Sequence, residues 1–150
     1  MNSGLTVLFA AIFLAVLTVA IHAAGFDLLL RAMLRSNALT ASGIRRVGGS
    51  LIALACWLVL IHVAEIGVWA LFYAWQCGLP DAESALYFSA SAYSGGGDGS
   101  LTLAKPWRLL APFEALVGTL MFGLSTGLFF TVVYRWISIW MGKQTASEER

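Results

Sequence analysis

Charged side chains are scarce in this chain of 150 residues, where they make up 11% of the sequence against 59% hydrophobic residues. A typical soluble domain carries about 25% charged residues, so the composition argues against an ordinary soluble fold. The formal net charge is only +1, which provides no basic surface for nucleic acid. Cysteine is nearly absent as well, and Cys56 and Cys77 are too few to form a disulfide framework.

Long apolar runs occupy most of the chain instead. They cover residues 5–26, 51–74 and 109–134, and a membrane span needs about 20 largely apolar residues. We therefore predict an all-α membrane protein with three transmembrane helices. The first run is not typical of a cleaved signal peptide, because such a signal begins with a basic segment and no Lys or Arg precedes Arg31.

Basic residues are unevenly divided among the connecting segments. Residues 36–50 form a polar linker, and four arginines lie within it or just before it: Arg31, Arg35, Arg45 and Arg46. The connection between the second and third runs has fewer basic than acidic residues: Lys105 and Arg108 against Asp81, Glu83 and Asp98. The positive-inside rule then places the linker and the tail, residues 142–150, in the cytoplasm. The N-terminus would lie on the outer side of the cell (inner) membrane.

A shorter apolar segment lies between the second and third runs. Pro80 breaks the preceding helix and Asp81 is a good N-cap, so we predict a helix over residues 82–93. At 1.5 Å per residue this helix would be roughly 18 Å long, which is too short to cross a bilayer. Four glycines then surround Asp98, namely Gly95, Gly96, Gly97 and Gly99.

A half-length helix followed by glycines is typical of a re-entrant pore loop. Irregular backbone at membrane depth is tolerated only where protein buries it or where it lines a watery cavity. The C-terminus of the helix carries a partial negative charge that favours a cation, and glycines permit the φ > 0 conformations of a returning loop. Four such loops around one axis line a filter, so one loop per chain predicts a homotetramer. A merely flexible outer loop is the plain alternative, but it leaves the short apolar helix unexplained.

Several segments resemble bacterial pore-loop potassium channels, in particular their small three-helix members. In chain order these segments are HVAEI (62–66), ALYFS (85–89), WRLL (107–110), EALVG (114–118) and FGLST (122–126). The resemblance covers about residues 51–134. It implies a pore domain over 51–141, with an outer helix, a pore helix over 82–93, a filter over 94–100 and an inner helix over 109–141. Residues 1–35 would form an additional transmembrane helix.

The filter departs from the pattern of these channels, which is Thr-Val-Gly-Tyr-Gly-Asp. An ungapped match places residues 95–100 (GGGDGS) on it, so that Gly97-Asp98-Gly99 replaces Gly-Tyr-Gly; a gapped alternative keeps Asp98 on the aspartate of the pattern. Loss of the threonine hydroxyl and of the supporting tyrosine implies a loose filter. Gly-Asp-Gly is similar to the filter of bacterial non-selective sodium/potassium channels, and acidic rings are typical of cation pores.

The resemblance therefore implies a weakly selective, tetrameric cation channel in a lipid bilayer, not an enzyme. The permeant cations would be K⁺ and Na⁺, with Asp98 as a candidate ligand for Ca²⁺ because hard cations prefer oxygen, and we expect no cofactor. The candidate filter residues are Ser94, Gly95, Gly96, Gly97, Asp98 and Gly99. The alternative is a membrane interaction or structural protein that keeps the pore-loop fold and does not conduct.

Other ionisable residues in the apolar runs are candidates for polar contacts. His62 and Glu65 are i,i+3 on the second helix, and we predict a buried pair directed at the first helix or at a neighbouring subunit, with His22 as a candidate partner. Two ligands are too few for a dedicated metal site. We expect Glu114 either to accept hydrogen bonds from the loop behind the filter or to lie in an outer, wet cleft. We expect Ser125 to bond its own helix backbone.

Glycines and aromatic residues in the long runs give two further predictions. Gly118 or Gly123 lies where the resembled channels have a gating hinge. Aromatic residues crowd the outer end of the second helix and the inner end of the third, which is typical of interfacial belts: Trp69, Phe72, Tyr73, Trp75, Tyr134, Trp136 and Trp140.

Overall fold

A computed structural model describes residues 3–36, 44–97 and 101–148 of the protein. The described residues form helices joined by turns and irregular chain, with no strand among them. The helices are α1 (Ser3–Arg35), α2 (Ile44–Gln76), α3 (Ala82–Tyr93) and α4 (Leu110–Glu148), and a 3-10 turn (Trp107–Leu109) leads into α4. Within the described ranges, three helical segments are long and apolar enough to cross a membrane: Gly4–Arg35, Val47–Gln76 and Trp107–Gly142. They confirm the prediction of an all-α protein with three membrane-spanning helices.

The start of α2 differs from the prediction. Residues 36–50 were expected to form a linker, yet α2 already begins at Ile44, while residues 37–43 lie outside the described part of the chain. Gly48 and Gly49 lie in this part of the helix, and each costs only about 1 kcal/mol of helix stability relative to alanine. Val47 and Leu51 pack against a cluster of side chains shared by α1, α2 and α4, and this burial outweighs the cost.

The end of α4 also differs from the prediction. The tail was expected to begin at residue 142, but the helix continues to Glu148. Its last segment contains no proline, and Lys, Gln, Ala and Glu are good helix formers. Gly142, at the predicted boundary, disfavours a helix by only about 1 kcal/mol, and no proline follows it before Glu148.

Two apolar clusters lie at opposite ends of the bundle. The first joins the N-terminal part of α1 to the C-terminal part of α2, to α3 and to the start of α4, with Leu14, Trp69 and Leu110 among its buried members. The second joins the C-terminal part of α1 to the N-terminal part of α2 and to α4. It follows that α1 and α4 both run antiparallel to α2, and a layer of buried polar side chains separates the two clusters.

Two of the aromatic residues predicted for an outer belt lie in the core instead. Trp69 and Tyr73 are fully buried, whereas Trp75 is 81% exposed. Each buried ring has an internal partner for its polar tip: Trp69 Nε1 donates to Thr18 Oγ1 at 2.9 Å, and the Tyr73 hydroxyl donates to a carboxylate of α4. Trp136 is buried too, and so the belt prediction was wrong for these three residues.

α3 has well-defined hydrogen bonds at both ends. At its start, Asp81 Oδ1 accepts from the backbone N–H of Ser84 at 2.7 Å. At its end, Gly95 has φ +73°, the N–H of Gly95 donates to the carbonyl of Ala92, and the N–H of Gly96 donates to that of Ser91. This pair of bonds is a Schellman motif, in which glycine supplies the left-handed residue. The first glycine after α3 therefore ends the helix, as the sequence predicts.

We expect Asp81→Ala to loosen the first turn of α3, because the N–H of Ser84 loses its acceptor. Loss of an N-cap of this kind should raise the hydrogen-exchange rate of that amide roughly fivefold. Asp81→Asn is the matched control, since it keeps an acceptor oxygen and should change exchange much less.

Acidification provides a second check of this cap. The pKa of Asp81 is lowered, chiefly by the backbone hydrogen bond from Ser84. A depressed pKa contributes stability that is present above the ordinary value and is lost as the pH falls below about 4. The protection factor of the Ser84 amide should therefore drop at acid pH in the unmodified chain and stay more nearly constant in Asp81→Asn. Equal exchange in all three proteins would contradict the capping role.

Candidate functional site

The predicted filter begins directly after α3. Ser94 caps the helix in αR conformation, Gly95 follows with positive φ, and Gly96 and Gly97 continue as irregular chain. Asp98 and Gly99 lie outside the described residues, as does Ser100. The four described residues of the predicted filter, 94–97, thus start at the C-terminal end of a short helix.

Glu114 links three helices from a fully buried position in α4. Its Oε1 accepts from Ser89 Oγ of α3 at 2.6 Å, and its Oε2 accepts from the Tyr73 hydroxyl of α2 at 2.7 Å. Ser89 Oγ also lies 2.9 Å from the carbonyl oxygen of Ile66, so its single proton is shared between two acceptors. Glu114 therefore does not lie in a wet cleft. Its partners among the described residues are on the short helix and on α2.

A second buried carboxylate, Glu65 of α2, lies at the centre of the polar layer. Its Oε1 is 2.7 Å from His22 Nδ1 of α1, and its Oε2 is 3.2 Å from His62 Nδ1 one turn away on α2. The hydroxyl of Tyr93, the last residue of α3, donates to Oε2. The structure thus brings His22, His62 and Glu65 together, and it adds a tyrosine that the sequence did not point to.

His62 joins this cluster to α4. Its Nδ1 is 3.0 Å from the Tyr93 hydroxyl and its Nε2 is 3.0 Å from Ser125 Oγ. Ser125 was expected to bond its own helix backbone, but its buried hydroxyl lies opposite the imidazole of His62. His22 Nε2, by contrast, is buried and has no hydrogen-bond partner among the described residues.

The two carboxylates hold one face of α3. Ser89 contacts Glu114 and Tyr93 contacts Glu65, and residues that are i,i+4 in a helix lie on the same side. Both contacts are buried, where an unmade hydrogen bond is costly. The short helix is therefore fixed along its axis at two points one turn apart, just before the predicted filter.

The two hinge candidates have different surroundings. A Cβ atom at Gly118 would lie 2.1 Å from the backbone oxygen of Tyr93, whereas a Cβ at Gly123 would meet no atom within 4 Å. Gly118 therefore permits α4 to approach the C-terminal end of α3. Gly123 has no such packing requirement within the chain.

Comparison with known proteins gives one result. A protein-family model with the description "Ion channel" matches residues 52–135. The match covers more than half of the chain and includes most of α2, all of α3 and much of α4. Comparisons with curated proteins and with solved structures return no match. α1 lies outside the matched region, and so does its His22.

Proposed function

Because this chain belongs to the ion channel family that matches residues 52–135, we propose that it forms a homotetrameric cation channel. In this proposal α3 is a re-entrant pore helix and residues 94–99 line the filter. The observation that supports it best is α3 itself, a 12-residue helix that lies between α2 and α4 and ends in the Gly95 turn.

The dimensions and polarity of α3 suit this role. At 1.5 Å per residue it extends roughly 18 Å, about half the thickness of a bilayer with its interfaces. Its C-terminus carries about half a negative charge, and the predicted filter follows at that end. The buried contacts of Ser89 and Tyr93 fix the helix from behind, so the dipole keeps a constant position relative to the ion path.

The filter sequence supports weak selectivity. Glycines at three consecutive positions, Gly95, Gly96 and Gly97, lack side chains that would stiffen the strand. We propose that K⁺ and Na⁺ both permeate and that four copies of Asp98 form an acidic ring, which also attracts Ca²⁺. The pore would lie in the cell membrane with the N-terminus outside and the C-terminus in the cytoplasm, following the positive-inside rule.

Purified protein in liposomes tests the channel. We expect K⁺ and Na⁺ fluxes well above those of empty vesicles and of similar size for both ions. Asp98→Asn should lower cation flux about tenfold at low ionic strength and less at high salt, because a ring of like charge concentrates counter-ions locally. Asp27→Asn is the matched control: its carboxylate pairs with Arg31 at the exposed end of α1 and should not affect flux.

Two results would contradict the proposal. If flux does not exceed that of empty vesicles and Asp98→Asn changes nothing, the chain is instead a membrane interaction or structural protein with a pore-loop fold. A monomeric or dimeric mass in detergent would rule out the tetramer that a ring-lined filter needs.

A further inference from the structure

A cluster of metal-ligating side chains lies in the polar layer, and none of its three ligands belongs to the predicted filter. His22 comes from α1, and His62 and Glu65 come from α2, and one ligand atom from each residue lies within 4.8 Å of the others. The three residues are 2%, 8% and 0% exposed. The sequence offered an i,i+3 pair with His22 as a candidate partner, and the structure brings His22 into the cluster because α1 packs against this face of α2.

We propose that His22, His62 and Glu65 bind one divalent transition-metal ion of the zinc type. Zinc holds nitrogen and carboxylate ligands at about 2.0–2.2 Å, so that two ligands of a tetrahedral site lie roughly 3.4 Å apart. The Glu65 oxygens are 2.7 and 3.2 Å from the two imidazole nitrogens. Side-chain shifts of roughly 1 Å would admit the ion: atoms closer than this spacing would separate, and ligand atoms that lie further apart, all of them within 4.8 Å, would approach. The Tyr93 hydroxyl, 3.0 Å from His62 Nδ1, is a further oxygen beside the site.

The charge of the cluster favours a cation. Among the described residues, the ion-pair partners of Glu65 are the two histidines, and with both imidazoles neutral the buried carboxylate is uncompensated. An unpaired charge in a low-dielectric interior is strongly unfavourable. A divalent ion would balance the carboxylate and compensate for its lost hydration. A proton on one histidine is the competing solution, and the experiment below separates the two.

The chemistry and surroundings of the ligands favour zinc over calcium or magnesium. Two imidazoles with one carboxylate form a common zinc ligand set, whereas Ca²⁺ and Mg²⁺ prefer oxygen ligands alone. Metal-bound histidines are usually held by a hydrogen bond at the other ring nitrogen. Ser125 Oγ meets this condition for His62, since it lies 3.0 Å from Nε2 and leaves Nδ1 directed at Glu65.

Metal analysis of the purified full chain, with any affinity tag removed, tests the site. After chelation and re-addition of Zn²⁺, we expect about one ion per chain, whereas Ca²⁺ at the same concentration should not bind to the cluster. Co²⁺ in place of Zn²⁺ should produce the visible absorption of a tetrahedral nitrogen–oxygen site.

The variants identify the ligands. His22→Gln and Glu65→Gln should each weaken binding more than about 100-fold, beyond the effect of removing an outer hydrogen-bond partner. Thr18→Val is the matched control, because Thr18 is one turn before His22 on α1 and equally buried but supplies no ligand; its binding should be unchanged.

The proposal is wrong if the unmodified chain binds no Zn²⁺ or Co²⁺ after chelation. A proton on one histidine would then be the charge that compensates Glu65. It is also wrong if His22→Gln binds as tightly as the unmodified chain. Should a variant fail to fold, the Co²⁺ spectrum of the unmodified chain still decides the matter, since a spectrum without tetrahedral nitrogen–oxygen bands contradicts the proposed ligands. None of these assays measures flux, so their failure would leave the proposed pore unaffected.

Discussion

Gly118→Ala should displace the C-terminal end of α3 from α4. The added Cβ would lie 2.1 Å from the Tyr93 backbone oxygen and 3.0 Å from its carbonyl carbon, and a backbone group cannot move aside as a flexible side chain can. Overpacking costs typically about 1–3 kcal/mol and sometimes more, and a contact with backbone belongs at the upper end. We therefore expect the free energy of unfolding in detergent to fall by about 3 kcal/mol.

Gly123→Ala is the matched control for this substitution. It lies on the same helix, and its Cβ would meet no atom within 4 Å. Alanine favours a helix over glycine by up to about 1 kcal/mol, so this variant should be neutral or slightly more stable. If both variants lose the same stability, the close approach of α4 to α3 is not the cause.

Glu114→Ala should be the second strongly destabilising change. It leaves the hydroxyls of Ser89 and Tyr73 without their carboxylate acceptor and opens space in a fully buried region. Ser89 keeps the carbonyl of Ile66 as an acceptor, whereas the orphaned Tyr73 hydroxyl costs about 1–3 kcal/mol. With the cost of the cavity added, we expect a total loss of about 3–5 kcal/mol in chemical unfolding. The lost contact with Ser89 should also loosen α3, which hydrogen exchange of its amides would detect.

A double-mutant cycle separates the hydrogen bond from the lost volume. Tyr73→Phe removes only the hydroxyl and should cost less than Glu114→Ala. Groups in direct contact usually show a coupling energy of about 0.5–3 kcal/mol, so the two changes together should cost less than their sum. Strict additivity would contradict the hydrogen bond between Tyr73 and Glu114.

Short-range signals explain why α3 was predictable from the sequence. α2 ends at Gln76, before Gly78 with its positive φ and before Pro80. Asp81 caps the start of α3, and Gly95 supplies the positive φ at its end. All of these signals act within a few residues of the element that they define. The bounds of α3 agree with the predicted range for that reason.

Contacts between distant residues could not be assigned in the same way. His22 and Glu65 are 43 positions apart, and Ser89 and Glu114 are 25 apart. Which side chains meet depends on the rotation of each helix about its axis, and apolar residues surround these helices on all sides. With no polar stripe to set that rotation, the sequence named Glu65 and Glu114 as candidates without fixing all of their partners.

The ends of the long helices and the aromatic belt show the same limitation. Hydropathy marks where apolar side chains occur, but α2 continues through two glycines because Val47 packs against other helices. Trp69 and Tyr73 have the composition expected of an interface, yet internal acceptors hold them in the core. In these cases, contacts with other helices determined where the helix begins and where the side chains lie, and local composition did not.

The packing of α1 on α2 has a consequence for biosynthesis. α2 carries His62 and Glu65 near its middle, and a charged residue at the centre of a lone inserting helix costs about 2.5–3.5 kcal/mol on the translocon scale. α1 offers His22 to this carboxylate, and it precedes α2 in synthesis. We therefore expect the two helices to leave the translocon as a paired hairpin, so that lipid never contacts the polar face of α2.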